Sequence, residues 1–454
     1  MRKTEVLSQM LSLSNTLFEA ANYVINNVNM DSKPVLSDIK DALIAMNASI
    51  PLIFDEKKAE EIRQQSKKLQ RACDTLFTDS KAIDAFYKGF AAWKQMIETT
   101  LFMESINAAN KSSKEEEETA IELLENLLSY NLPPQPKALA EFTLSRKLSY
   151  KQPIRAYALC IDAFETDNAL CEKMTQEASP IHQYKYVKVD EVYFENCPIC
   201  HAGDGLPYYC AMPLYMMNYT AEFSPVKLWI KCASCGQLYA YNFPRKLVMP
   251  APEEEELGDE IYMSSRPATL PILGRILKDI LSYATGKRLL EVGAGTGELI
   301  AAALELGCEV EAVEISKRQS LRLRELLGIQ VHCANFTEFN AAGKYSIITM
   351  GDVVEHVVDP NAAIQKAYEL LEDDGILWIS TPNYESAFSR IMKFSDPMWN
   401  EPWHITYFSY EGFKKLLCEN GFDILDYSIS SRYNGSMEII ARKQSGGSRE
   451  NADL

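Results

Sequence analysis

The chain has 454 residues, 47% of them hydrophobic and 24% charged, a globular composition that excludes a disordered or collagen-like chain. Its 46 basic and 63 acidic residues give a net charge of −17, so no overall field draws it to nucleic acid or to an anionic membrane surface. No stretch approaches the roughly 20 apolar residues of a membrane span, and the opening MRKTEVLSQMLSLSN lacks the apolar core of a secretory signal.

Domains of roughly 100–200 residues would divide this length into two to four. Residues 1–110 read as a helical bundle. Ile83, Phe86, Phe90, Trp93, Ile97 and Leu101 recur every three or four positions, and Val6, Met10, Leu13 and Leu17 do the same, which marks one apolar face of a helix. Turns are expected around Asp31–Pro34 and Pro51. A charge-rich junction at Lys111–Glu118 opens a second helical region over 111–185, with Ile121–Leu128 apolar and Pro133, Pro134 and Pro136 ending that helix. This helical part is expected to pack, to assemble into a homo-oligomer or to place a partner, not to catalyse.

From about Val187 the texture becomes aromatic, β-branched and cysteine-bearing. Of eleven cysteines only four sit in close pairs, which reads as a reducing, cytoplasmic compartment with one metal site and not as a disulfide framework. Those pairs are Cys197-Pro-Ile-Cys200 and Cys232-Ala-Ser-Cys235. Two sulfurs two residues apart can meet one ion across a tight turn, and two such turns complete a tetrahedron that suits zinc. With strand-like sequence between them at Tyr208-Tyr209 and Val226–Lys231, residues 186–250 are expected to form a zinc ribbon. Four thiolates leave no open position, so the ion would be structural. His201 and Cys210 lie nearby as spectators. Residues 251–262, with four consecutive glutamates, read as an acidic linker.

Over 263–443 helices alternate with short apolar strands, the pattern of a parallel sheet covered by helices. Leu289, Leu290 and Val292 form a buried strand that runs into Gly293-Ala294-Gly295-Thr296-Gly297 and a helix from Glu298. The spacing is GxGxG, which is neither the GxGxxG of dinucleotide enzymes nor a P-loop. Glycine there lets a ligand approach the backbone. A carboxylate about 20 residues on is needed for two ribose hydroxyls, and Glu314 ends the next strand. The third strand leads to Asn335 and Phe336, placed to meet an adenine ring. The fourth runs into Gly351-Asp352-Val-Val-Glu355-His356-Val, and the fifth ends in Ser-Thr381-Pro-Asn383. Trp403-His404-Ile-Thr-Tyr407-Phe408-Ser409 precedes the last helix. The tail 444–454 reads as disordered.

This ordered set resembles the class I S-adenosylmethionine-dependent methyltransferases, and within them the branch of the ubiquinone O-methyltransferases. The resemblance covers roughly residues 265–443 and implies a Rossmann-like α/β sheet behind the all-α region and the small β ribbon. It also implies that Glu291, Gly293, Ala294, Gly295, Gly297, Glu314, Ile315, Asn335, Phe336 and Asp352 line the cofactor, S-adenosylmethionine. Of only five histidines, His356 and His404 fall at the active-site end and are the expected bases, with Glu355 as orienter. A second reading has Asp352, Glu355, His356 and His404 holding a divalent ion, because a similar carboxylate-x-x-Glu-His pattern does so in small-RNA and ubiquinone methyltransferases. The expected reaction is methyl transfer to a small-molecule or sugar-type acceptor at oxygen. The alternatives are an RNA or protein methyltransferase, with the acidic balance arguing against RNA, and a cofactor-binding scaffold without turnover.

Overall fold

The computed structural model describes residues 3–26, 33–76, 82–216, 219–248 and 269–445. The chain divides into two compact units between Tyr186 and Val187, where the sequence changes texture.

The first unit is helical: α1 (Lys3–Asn26), α2 (Lys33–Ser49), α3 (Glu56–Thr75), α4 (Ala82–Lys111), α5 (Glu117–Leu128), α6 (Pro134–Leu148), α7 (Pro153–Thr166) and α8 (Leu170–Met174). Helical spacing works as read, because Phe86, Phe90, Trp93, Ile97 and Leu101 are all buried. The Trp93 indole donates to Ser66 of α3 at 3.3 Å, and Phe18 of α1 meets the rings of Phe90 and Trp93 edge-on. Helix α5 stops at Leu128, short of Pro133 and Pro134, which therefore do not end it. They open α6, where a missing backbone N–H costs nothing. Both α1 and α4 lie against α5, so residues on the two sides of the charged junction share one unit.

The second unit begins with β1 (Glu191–Tyr193), β2 (Gly205–Ala211), β3 (Lys227–Cys232), β4 (Leu238–Ala240), β5 (Asn242–Pro244) and the short α9 (Arg245–Val248). The large sheet follows through α10 (Leu270–Tyr283), β6 (Arg288–Val292), α11 (Glu298–Glu305), β7 (Glu309–Glu314), α12 (Lys317–Leu327), β8 (Gln330–Cys333), β9 (Tyr345–Gly351), α13 (Pro360–Leu370) and β10 (Leu371–Pro382). It closes with α14 (Ala387–Met392), β11 (Thr406–Tyr407), α15 (Tyr410–Glu419), β12 (Phe422–Ile429) and β13 (Ser436–Lys443). The expected acidic linker at 251–262 and the tail from 446 on lie outside the described residues. No helix among the described residues is long and apolar enough to cross a membrane.

Seven strands pair in the order β12-β13-β10-β9-β6-β7-β8. The sheet is not wholly parallel as the alternation of elements suggested: β13 runs antiparallel to both β10 and β12. The reason is local. Only a short turn ending at Gly435 joins β12 to β13, and a parallel return needs a crossover of a dozen or more residues. The central strands β9 and β10 are buried on both faces, as helices on each side require.

The cysteine module is not a separate bead. Its own sheet has the order β11-β4-β3-β2, and β11 comes from the chain after the fifth strand of the large sheet. Trp229 of β3 is fully buried and donates its indole N–H to the Trp399 carbonyl at 2.9 Å, beside Tyr407, Tyr384 and Tyr209. Trp229→Ala is therefore expected to cost about 3–5 kcal/mol of stability. Urea titration would show it as an earlier midpoint shared by the module and the large sheet. A change confined to the module would contradict the shared core.

Candidate active site

Strand order reverses beside β6. The chain adds β7 and β8 on one side and returns to place β9 on the other. In open α/β sheets ligands bind beyond the carboxyl ends of the strands at such a point. The loops leaving β6 and β9 touch there, because a β-carbon added at Gly293 would lie 2.6 Å from Cγ2 of Val353.

Gly293, Gly295 and Gly297 all have left-handed backbones, with φ of 70°, 51° and 88°. A side chain at Gly297 would strike Leu323 of α12, whereas at Gly295 nothing lies closer than 3.9 Å. Access for a ligand is thus not the whole reason for these glycines. Backbone angle favours all three, and at Gly293 and Gly297 the protein's own packing also leaves no room for a side chain.

The Glu314 carboxylate closes this loop. Oε2 accepts from the Gly295 N–H at 3.0 Å and Oε1 from the Ser316 N–H at 2.9 Å. Ile315, next in the chain, is 63% exposed. Other expected cofactor residues turn inward. Ala294 packs in the core of the sheet, and Phe336 is buried. Asn335 is exposed, with its side-chain oxygen accepting from the Thr337 N–H at 3.2 Å. Glu291 is buried on β6 and accepts from the Thr349 hydroxyl. Burial pushes its carboxyl up to about 8.

Beyond β9, Asp352 holds a φ of 57°, a strained value for a residue with a side chain. Its carboxylate takes Arg432 Nη2 and the Ser380 hydroxyl, each at 3.1 Å. Burial raises its pKa against the pull of Arg432. Sequence reasoning missed Arg432. It reaches the site from the turn between β12 and β13, and no motif or spacing marks it.

Glu355, His356 and His404 do come together. One donor atom from each lies within 4.8 Å of the others, and the two imidazole centroids are 4.9 Å apart. Asp352 is not part of that group among the described residues. His356 Nδ1 is 3.1 Å from the Trp403 carbonyl, and donation there leaves Nε2 with its lone pair. His404 Nδ1 is buried without a partner. Glu355 accepts from the Thr381 hydroxyl at 3.1 Å. Burial draws His356 down to about 4 and His404 well below its ordinary value, and it lifts Glu355 well above its own. A neutral imidazole of such low basicity is a weak general base and a competent metal ligand.

The four thiols of the cysteine turns also converge. Cys197 Sγ is 3.7 Å from Cys235 Sγ, and Cys200 Sγ is 3.5 Å from Cys232 Sγ. Zinc–sulfur bonds of about 2.3 Å in a tetrahedron imply sulfurs about 3.8 Å apart. The donor set and its spacing fit that ion. His201 and Cys210 stand outside the group.

The pattern of a methyltransferase-domain family matches residues 270–427. The C-terminal sheet thus carries a methyltransferase domain. The ubiquinone biosynthesis O-methyltransferase of Bordetella avium is 28% identical over 117 residues, which are 24% of this chain and 47% of that protein. Its namesake from Haemophilus ducreyi is 33% identical over 114 residues, 22% of this chain and 46% of that one. The chain thus spans about half the length of the curated relatives it matches. Among solved structures, the magnesium protoporphyrin IX methyltransferase of Synechocystis with bound S-adenosylhomocysteine is 18% identical, covers 41% of this chain and 92% of its own, and has a TM-score of 0.33. The 1,6-didemethyltoxoflavin-N1-methyltransferase of Burkholderia thailandensis is 18% identical and covers 47% and 98%, with a TM-score of 0.34.

In the methyltransferase domain Glu291 generates a pH dependence. Its native pKa lies above the ordinary 4.5, so the folded protein keeps a proton that the unfolded chain releases between about 4.5 and 8. Stability from this group is full below that window and is lost as pH rises through it. For the ligand-free protein, Glu291→Gln should remove a loss on the order of a few kcal/mol between pH 5 and pH 8. Urea unfolding at the two pH values checks this. Equal losses in variant and parent would contradict it.

Proposed function

We propose that this protein transfers the methyl group of S-adenosylmethionine to a hydroxyl oxygen of a small-molecule or sugar-type acceptor in the cytoplasm. One observation carries the reading. The Glu314-closed glycine loop and the Glu355–His356–His404 cluster belong to neighbouring loops at the switch point of one sheet, which is where a methyl donor and a reacting hydroxyl would have to meet.

In this reading the glycine loop backbone holds the methionyl part and Glu314 the ribose hydroxyls. Asp352 faces the positive sulfonium end. When bound, the cofactor supplies a methyl carbon whose bond to sulfur breaks as the acceptor oxygen attacks in line. The chain itself has to orient that hydroxyl and lower the cost of losing its proton.

Two roles are open to the cluster, and its mixed donor set favours one of them. Glu355, His356 and His404 offer a mixed oxygen and imidazole set that suits magnesium, manganese or zinc. A divalent ion held there would make the acceptor hydroxyl more acidic. The competing role is direct proton removal by His404 or His356. The oxygen assignment draws on the relatives named O-methyltransferases, which match about a quarter of the chain.

The four cysteines are read as a structural zinc site whose binding free energy helps fold the module. Elemental analysis should find about one zinc per chain from these cysteines, absent in Cys232→Ser. A zinc content in that variant equal to the parent's would contradict the assignment.

Titration calorimetry tests the core of the proposal. S-adenosylmethionine should bind, and Glu314→Ala should weaken it by about ten- to a hundredfold, the loss of one charge-assisted contact. Gly293→Arg should abolish binding. Indifference of the folded protein to the ligand would overturn the reading.

A further inference from the structure

Lys227 opens β3, and Cys232, one of the four converging thiols, ends it. The residue is only 3% exposed. Its ammonium donates to three backbone carbonyls of one short segment: Glu401 at 2.7 Å, Pro402 at 2.9 Å and His404 at 2.8 Å. An ammonium has three N–H bonds, and these three acceptors use them all. The rings of Trp229 and Phe243 stand beside the cation at 5.3 and 5.8 Å.

Burying an ammonium is costly, and a side chain of the same length without charge would fill the space. What the charge adds is geometry. Three carbonyls converge on one point, which fixes the path of residues 401–404 and with it the direction in which the His404 side chain leaves the backbone. Further ties lie on either side. The Ala240 N–H donates to the Ile405 carbonyl at 2.8 Å. Gln237, two residues past Cys235, accepts from the Ser409 N–H at 2.8 Å. The Tyr384 hydroxyl donates to the Gly236 carbonyl at 2.6 Å.

We infer that Lys227 is a positioning residue for His404, and that the cysteine module serves the methyltransferase site by holding the histidine-bearing segment in place. The module then acts on the reaction through the backbone of 401–404, without touching the methyl donor. This inference rests on the proposed function, in which His404 belongs to the reacting site.

Lys227→Met keeps the stem and removes the donors. Hydrogen exchange read by mass spectrometry on the full chain should show residues 400–408 exchanging at least about ten- to a hundredfold faster, the effect of losing even one of the three charge-assisted hydrogen bonds. Peptides from 288–314 should be unchanged. In histidine-labelled protein only the imidazole signals of His356 and His404 should move, which a general loss of stability would not produce. S-adenosylmethionine affinity, measured by calorimetry, should stay that of the parent.

Unchanged exchange at 400–408, or equal movement of all five histidines, overturns the inference while leaving the proposed function standing. Failure of the parent protein to bind the methyl donor overturns the proposed function instead, and the inference with it. If Lys227→Met does not fold, Lys227→Arg keeps the charge and displaces its donors. A local rise at 400–408 in that variant supports the inference, and its absence overturns it.

Discussion

The backbone of residues 401–409 is bonded from two sides, and the site depends on that. On the inner side the Ile405 and Thr406 N–H groups both donate to the Glu355 carbonyl, at 2.8 and 3.1 Å, and the Phe408 carbonyl accepts from the Tyr384 N–H at 2.9 Å. On the outer side Lys227, Ala240 and strand β4 take the opposite edge. A segment this buried cannot leave its polar groups unpaired without losing on the order of 1–3 kcal/mol for each. The pairing therefore decides where the chain runs. It brings His404 against Glu355 and His356 across nearly fifty residues of sequence, and it fuses the cysteine module to the methyltransferase domain.

Such an arrangement has costs, and they collect in one region. Burial pulls Lys227 below the ordinary lysine range and His356 down to about 4, and it pushes Glu291 up to about 8. Asp352 sits in a left-handed backbone and keeps Arg432 close. Ionisable groups displaced from their ordinary ranges by burial and by specific partners mark functional sites more often than structural ones. The helical unit has buried thiols and one buried glutamate, yet no cluster of this kind among its described residues.

Much of the sheet was legible because its signals are local. The glycine loop, the strand ending at Glu314 and the pair of CxxC turns each follow from a few adjacent residues. The apolar face of α4 follows from helical period alone. What escaped were relations between distant segments. The reversal of β13 depends on the length of one turn. The inward course of Ala294 and Phe336 depends on neighbours that the glycine and adenine motifs do not name. Lys227 and Arg432 carry no motif at all. Each is an ordinary cation in sequence and becomes informative only when three carbonyls, or the Asp352 carboxylate, are found around it. The two histidines were singled out as candidates, but their approach to 4.9 Å needed the β11–β4 pairing to be seen.

In the proposed function the methyl donor's sulfur faces the Glu355–His356–His404 cluster. Crystals grown with S-adenosylhomocysteine and manganese test it in one experiment. Nucleoside density should lie over the glycine loop with its ribose at Glu314, the sulfur directed toward the cluster, and an anomalous manganese peak should appear among the three donor atoms. Nucleoside bound elsewhere, or a sulfur turned away from the histidines with no manganese between them, would contradict it.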